Sequence, residues 1–150
     1  MKSNAIIASH LLKGAITGGV VNAVINGIIN WFQVKGHDSI YVSVDSITNT
    51  EHTILGGGVM LATSLAAILT VIAYATFKVS NKPSFFPKGL IITLKNTFFA
   101  FGLMVTISIV FQKAFGTITV GPFTSVIITA VIAGFVAALV DYQTKKELLN

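Results

Sequence analysis

Apolar residues in this chain run in four long blocks, with short polar stretches between them. The blocks span about Gly14 to Val34, Ile54 to Phe77, Leu90 to Phe111 and Ile118 to Val140. None keeps the two-residue alternation of a barrel strand over its length. Each is about 20 residues or slightly longer, and at about 1.5 Å rise per residue each crosses the roughly 30 Å hydrocarbon layer of a bilayer. Backbone polar groups find no water in that layer, so they must be paired within the segment, and a helix does this. The pattern predicts an all-α integral membrane protein, with residues 1–150 forming one four-span helical bundle. Ala5 to Lys13 can carry the first helix into the interface. His10 and Lys13 interrupt that run and no small-residue cleavage site follows, so the first block reads as a retained span.

The connections have their own patterns. Residues 35–53 form the longest and hold Asp38, Asp45 and Glu51, three of the five acidic residues. From Ile40 to Val44 apolar and polar positions alternate and β-branched residues recur, which predicts a short strand or hairpin over the outer mouth of the bundle. In the second connection Pro83 and Pro87 flank Phe85-Phe86, an aromatic pair suited to the membrane interface. A tight turn near Gly116 is expected in the third. Gly121-Pro122 suits the first turn of the last helix, where a missing N–H costs little.

Composition agrees with the pattern. Hydrophobic residues make up 53% of the chain and charged residues 10%, with a mean hydropathy of +0.83. A soluble domain carries about 25% charged residues, so a water-soluble fold is ruled out. The net charge is +5, and every basic residue is a lysine. Lys2, Lys13, Lys78, Lys82, Lys88, Lys95, Lys145 and Lys146 fall on one side of the predicted membrane, and only Lys35 and Lys113 on the other. The positive-inside bias then predicts cytoplasmic termini and a cytoplasmic second connection, in the cell (inner) membrane. Lysines at the ends of apolar blocks act as anchors, and no nucleic-acid partner is expected. The absence of arginine argues against bidentate recognition of carboxylate or phosphate. The absence of cysteine excludes disulfides and thiolate metal sites.

Candidate chemistry is sparse. Gly14, Gly18, Asn22, Asn26 and Asn30 recur every four residues on the first span, and Gln33 extends the polar end. At about 100° per residue such a row drifts only slowly round the helix, so it forms one slanted ridge. The glycines allow close helix approach. The carboxamides either bond neighbouring helices or line a pathway for a polar ligand. Gly58, Ala62 and Ala66 on the second span, and Ser125, Thr129, Ala133 and Gly134 on the fourth, read as small-residue packing faces within the bundle or between protomers. His37, Asp38, Glu51 and His52 bracket the first outer connection and could meet around a divalent metal if it folds back. Their spacing matches no established metal motif, and no cofactor is implied. No nucleophile elbow, zinc-protease helix or phosphate loop is present.

These features favour a non-enzymatic transport- or channel-type protein acting as an oligomer. Its partners would be the bilayer and either further copies of the chain or another membrane protein. One alternative is a non-catalytic membrane subunit or scaffold. The other is a metal-dependent membrane enzyme using the outer-loop histidines.

Overall fold

The computed structural model describes residues 2–44, 53–79 and 82–149. Along the chain it forms α1 (Lys2–Val34), β1 (Ile40–Val42), α2 (Ile54–Thr76), a π-helical turn (Phe85–Gly89), α3 (Leu90–Phe115), β2 (Ile118–Val120) and α4 (Pro122–Leu149). Among the described residues, four helices are long and apolar enough to cross a membrane. Large apolar side chains such as Val20, Ile28, Met60, Phe98, Val110 and Val131 are exposed on them, a surface that suits lipid rather than water. The chain is therefore an all-helical bundle with the character of a multi-pass membrane protein.

The boundaries differ from expectation at the fourth span. Ile118–Val120 is a strand, and the helix runs from Pro122 through Asp141 to Leu149. Pro122 disfavours helical geometry in the residue before it, so the helix starts there. The Ser125 amide makes its opening bond to the Gly121 carbonyl at 3.1 Å. At the far end Lys145 pairs with Asp141 one turn back, at 2.6 Å, and Leu148 is buried. Both carry the helix past the apolar block.

The strand expected at Ile40 is present, but its partner lies in another connection. β1 pairs antiparallel with β2, with Ile40 opposite Val120, Tyr41 opposite Thr119 and Val42 opposite Ile118. The third connection is thus more than a turn. It leaves α3 at Gly116, whose φ of +69° is a left-handed conformation natural to glycine, and then enters β2. Val42 has its side chain fully buried. It joins Val34, Ile40, Ile54 and Leu55, with Phe111, Val120 and Val126 against them, in an apolar plug beneath the two strands. The Val44 amide donates to Gln112 Oε1 at 2.7 Å, tying the first connection to the end of α3.

α4 is the central helix. α1 packs along it on one side and α2 on the other, while α3 packs mainly on α2. Ala62, Ala66, Ala100, Met104, Val136 and Val140 form the core where α2, α3 and α4 meet. At the lysine-rich end, Lys82 Nζ caps α2 by donating to the carbonyls of Tyr74, Ala75 and Phe77 at 2.9, 3.1 and 3.2 Å. These carbonyls lie in and just past the last turn of α2, where helical partners run out. The Tyr74 hydroxyl lies 2.7 Å from the Pro83 carbonyl and 2.9 Å from that of Ser84, which pins the second connection under the bundle.

Candidate functional site

The close approach of α1 to α4 falls one residue away from the Gly14–Asn30 row. Ala15, Gly19 and Gly27 are buried. A Cβ on Gly19 would lie 2.7 Å from the Gly134 carbonyl oxygen and 2.9 Å from Ala138 Cβ. One on Gly134 would lie 3.0 Å from Ala23 Cβ and 3.1 Å from the Gly19 oxygen. These are contacts of backbone with backbone or with an alanine methyl, at separations that only hydrogen at Cα permits. A Cβ on Gly14 or Gly18 would meet nothing within 4 Å, so those two glycines make no close approach within the chain.

The carboxamides follow the same displacement. Asn22 Nδ2 donates to the Gly18 carbonyl and Asn26 Nδ2 to the Asn22 carbonyl, both at 2.9 Å and both on their own helix. Each satisfies a donor locally without reaching a neighbour. Asn30 is bonded to α4, where Ser125 Oγ donates to its Oδ1 at 3.4 Å, a long bond. Gln33 is exposed near the end of α1.

Because α1 and α2 both lean on α4 and scarcely on each other, a groove runs between them. At the lysine-rich rim it has a volume of about 330 Å³, lined by His10, Lys13, Gly14, Thr17, Phe77 and Lys145. One turn deeper a stretch of about 150 Å³ is lined by Gly18, Asn22, Ile72, Ala73, Ala137 and Asp141. The Lys145–Asp141 pair joins the two stretches. Asn22 is thus the carboxamide of the row that lines the groove, alongside Gly14 and Gly18.

Sequence reasoning passed over the largest fully buried polar side chain among the described residues. Asn96 on α3 has no exposed surface, and its Nδ2 donates to Thr70 Oγ1 on α2 at 3.1 Å and to Thr144 Oγ1 on α4 at 3.0 Å. The threonine hydroxyls donate in turn to the carbonyls of Ala66 and Val140, each at 2.7 Å. One carboxamide thereby links three helices with every donor used. Asn96 Oδ1 is buried with no hydrogen-bond partner, so the cluster is satisfied on its donor side only. The signal was in plain view as an asparagine inside a predicted span, overshadowed by Lys95 beside it and by the repeated row on α1.

The remaining candidates divide clearly. Gly58, Ala62, Ala66, Ser125 and Ala133 are buried, and Thr129 is half-buried. A Cβ on Gly58 would press on Ile132 and Met104, each at 3.1 Å. His37 and Asp38 are exposed in the turn after α1. Glu51 and His52 lie outside the described residues, and among those described no group of three or more metal-capable side chains converges. Comparison with protein-family models, with curated proteins and with solved structures gives no match for this chain.

Proposed function

We propose that this is a small transport-type membrane protein, non-enzymatic and acting as an oligomer of this chain, with the α1–α2 groove as its vestibule. One observation carries the reading: Asn22, a half-buried carboxamide near the middle of α1, forms part of the groove wall. A polar side chain at that depth calls for water, a polar ligand or another protein surface rather than lipid tails. The groove ends at Asn22, short of the apolar plug, so a complete pathway requires a movement of α1 or a second copy beside it. The lysine distribution supports a cytoplasmic vestibule, with both termini cytoplasmic in a cell (inner) membrane.

The test is ion and solute flux in reconstituted vesicles, comparing Asn22→Leu with the unaltered chain and normalising to correctly assembled protein. An apolar side chain in a wet constriction blocks passage by dewetting, so flux should fall at least about tenfold while assembly is unchanged. Undiminished flux removes the groove from the pathway. No flux of any solute from the unaltered protein moves the assignment to a non-catalytic membrane subunit. That second reading is favoured by the own-helix bonds of Asn22 and Asn26, which satisfy their donors without any ligand.

A further inference from the structure

Both stretches of the α1–α2 groove are polar, and they differ in the partners they offer. At the rim Lys13 has no ion-pair partner among the described residues, and Lys13, Lys145 and His10 line the opening. The Thr17 hydroxyl beside them is committed to the Lys13 carbonyl at 3.0 Å. The rim lining therefore presents ammonium donors and no carboxylate. One turn deeper acceptors prevail. Thr76 donates to the Ile72 carbonyl at 2.8 Å and Asn22 to that of Gly18 at 2.9 Å. The hydroxyl then has only its oxygen lone pairs left, and the carboxamide its oxygen and one N–H. Asp141 adds a carboxylate to the same wall. The Lys145–Asp141 pair spans the change of sign, its side chains 21% and 20% exposed. Leu69, Ile72 and Ala137 line the deeper stretch between the polar groups.

We infer that this groove binds a small aliphatic α-amino acid as its zwitterion, the carboxylate on Lys145 and Lys13, the ammonium on Asp141, Asn22 and Thr76. The inference rests on the transport reading for its role, and it names the solute class of that vestibule. A simple anion could take Lys145 only by leaving Asp141 unpaired, and a simple cation would strand Lys145. Either way a partly desolvated charge is left uncompensated, which is strongly unfavourable. A zwitterion carries both signs side by side, so it replaces the internal pair and leaves neither charge alone. Both partners sit on α4, so the pair can open without parting two helices. Lysines hold a carboxylate as point charges, with no arginine fork required. The apolar lining suits a short aliphatic side chain, and stretches of about 330 and 150 Å³ have the size of a small-molecule site.

The experiment is equilibrium binding of radiolabelled L-alanine to the full chain in neutral detergent, alongside alanine uptake by reconstituted vesicles. Propionate and ethylammonium, each alanine less one charged group, serve as competitors. Alanine should bind saturably, and each single-charge competitor at least about tenfold more weakly, as loss of one charge-assisted contact predicts. Asp141→Asn and Lys145→Gln should each weaken alanine binding by a similar factor. Glu147→Gln removes the ion pair to Lys95, outside the groove, and should leave binding intact. Exchanging the pair, Asp141→Lys with Lys145→Asp, separates recognition from structure. It should restore any thermal midpoint lost in the single variants but not alanine binding, because a carboxylate would then stand at the rim beside Lys13. Competition by propionate or ethylammonium as effective as that of unlabelled alanine would overturn the inference, as would full binding in the exchanged pair. Alanine binding without uptake would leave the site standing and remove the transport reading. Flux of other solutes without alanine binding would overturn the inference alone, and absence of both would remove both.

Discussion

The two flanks of α4 are held by opposite means. Towards α1 the contact is of backbone against backbone and alanine methyl: Gly19, Ala23 and Gly27 face Gly134, Ala138 and Ala130, with the Asn30–Ser125 bond at the loop-capped end. Towards α2 and α3 the contact is an alanine-rich core with a polar tie through it, Asn96 to Thr70 and Thr144. Lipid tails are as apolar as the side chains they touch, so neither flank gains much from the hydrophobic effect. The first relies on dispersion at short range, which any added atom disrupts. The second tolerates small changes of volume but depends on matched donors and acceptors. Size is therefore the vulnerability of one flank, and polarity that of the other.

Gly19→Leu tests the size-limited flank, and it should have the largest effect. Even a Cβ at Gly19 would sit 2.7 Å from a backbone oxygen, and backbone cannot rotate aside as a side chain can. Overpacking typically costs about 1–3 kcal/mol and occasionally more, and about 3 kcal/mol or above is expected here. α1 is held almost wholly by α4, so it should separate before the rest of the bundle unfolds. Trp31, the only tryptophan, lies on α1 and reports this directly. Its emission should shift at a lower temperature than the loss of helical circular dichroism. Coincident transitions at the unaltered midpoint would show that α1 is not held by this seam.

The polar flank is tested by a pair of substitutions at Asn96. Asp in its place presents a carboxylate to two threonine oxygens whose hydrogens are committed to Ala66 and Val140. The threonines must then abandon those carbonyls, or the carboxyl must take up a proton, and about 2–3 kcal/mol is expected to be lost. Leu removes two interhelical bonds, each worth about 1 kcal/mol or less in a membrane, but it also removes an unpartnered buried oxygen. A loss of about 1 kcal/mol is expected for Leu. Unfolding in detergent should rank the unaltered chain above Leu, and Leu above Asp. If Leu cost more than Asp, shape rather than hydrogen bonding would govern this flank too.

Much of this architecture could be read from the sequence, and the limits of that reading have a physical cause. Block lengths located α2 and α3 to within a few residues because lipid thickness sets the length of a span. The alternation from Ile40 to Val44 marked β1, but pairing with β2 is a long-range event that local pattern does not encode. The facing side of α1 is the instructive failure. In a soluble helix the polar residues mark the outer face, so the phase of the buried stripe shows in the sequence. On α1 both faces are apolar, and two adjacent rows of small residues, Gly14-Gly18 and Ala15-Gly19-Ala23-Gly27, satisfy the same four-residue rule. The asparagines drew notice to the first row, yet the second carries the contact. Asn96 was legible as a polar residue in a span, but its role depends on Thr70 and Thr144 meeting it from two other helices.

The smallest expected effect distinguishes those two rows. Gly14→Ala adds one methyl where nothing lies within 4 Å, so it costs no packing. Alanine also loses less backbone freedom than glycine on forming a helix, by roughly 0.5–1 kcal/mol in water. Inside a bilayer the backbone is held helical even in the dissociated state, which reduces this gain to a few tenths of a kcal/mol. Gly19→Ala has the same intrinsic preference but places its methyl against the Gly134 oxygen at 2.7 Å, so the sign should reverse. Thermal midpoints of the two variants, measured side by side, should therefore move in opposite directions, Gly14→Ala barely upward and Gly19→Ala clearly downward. If Gly14→Ala instead lowers the midpoint and reduces oligomer mass, the first row is also a seam, one formed against a second copy of the chain. Both rows of α1 would then be size-limited, and the contrast between flanks would extend to contacts outside the protomer.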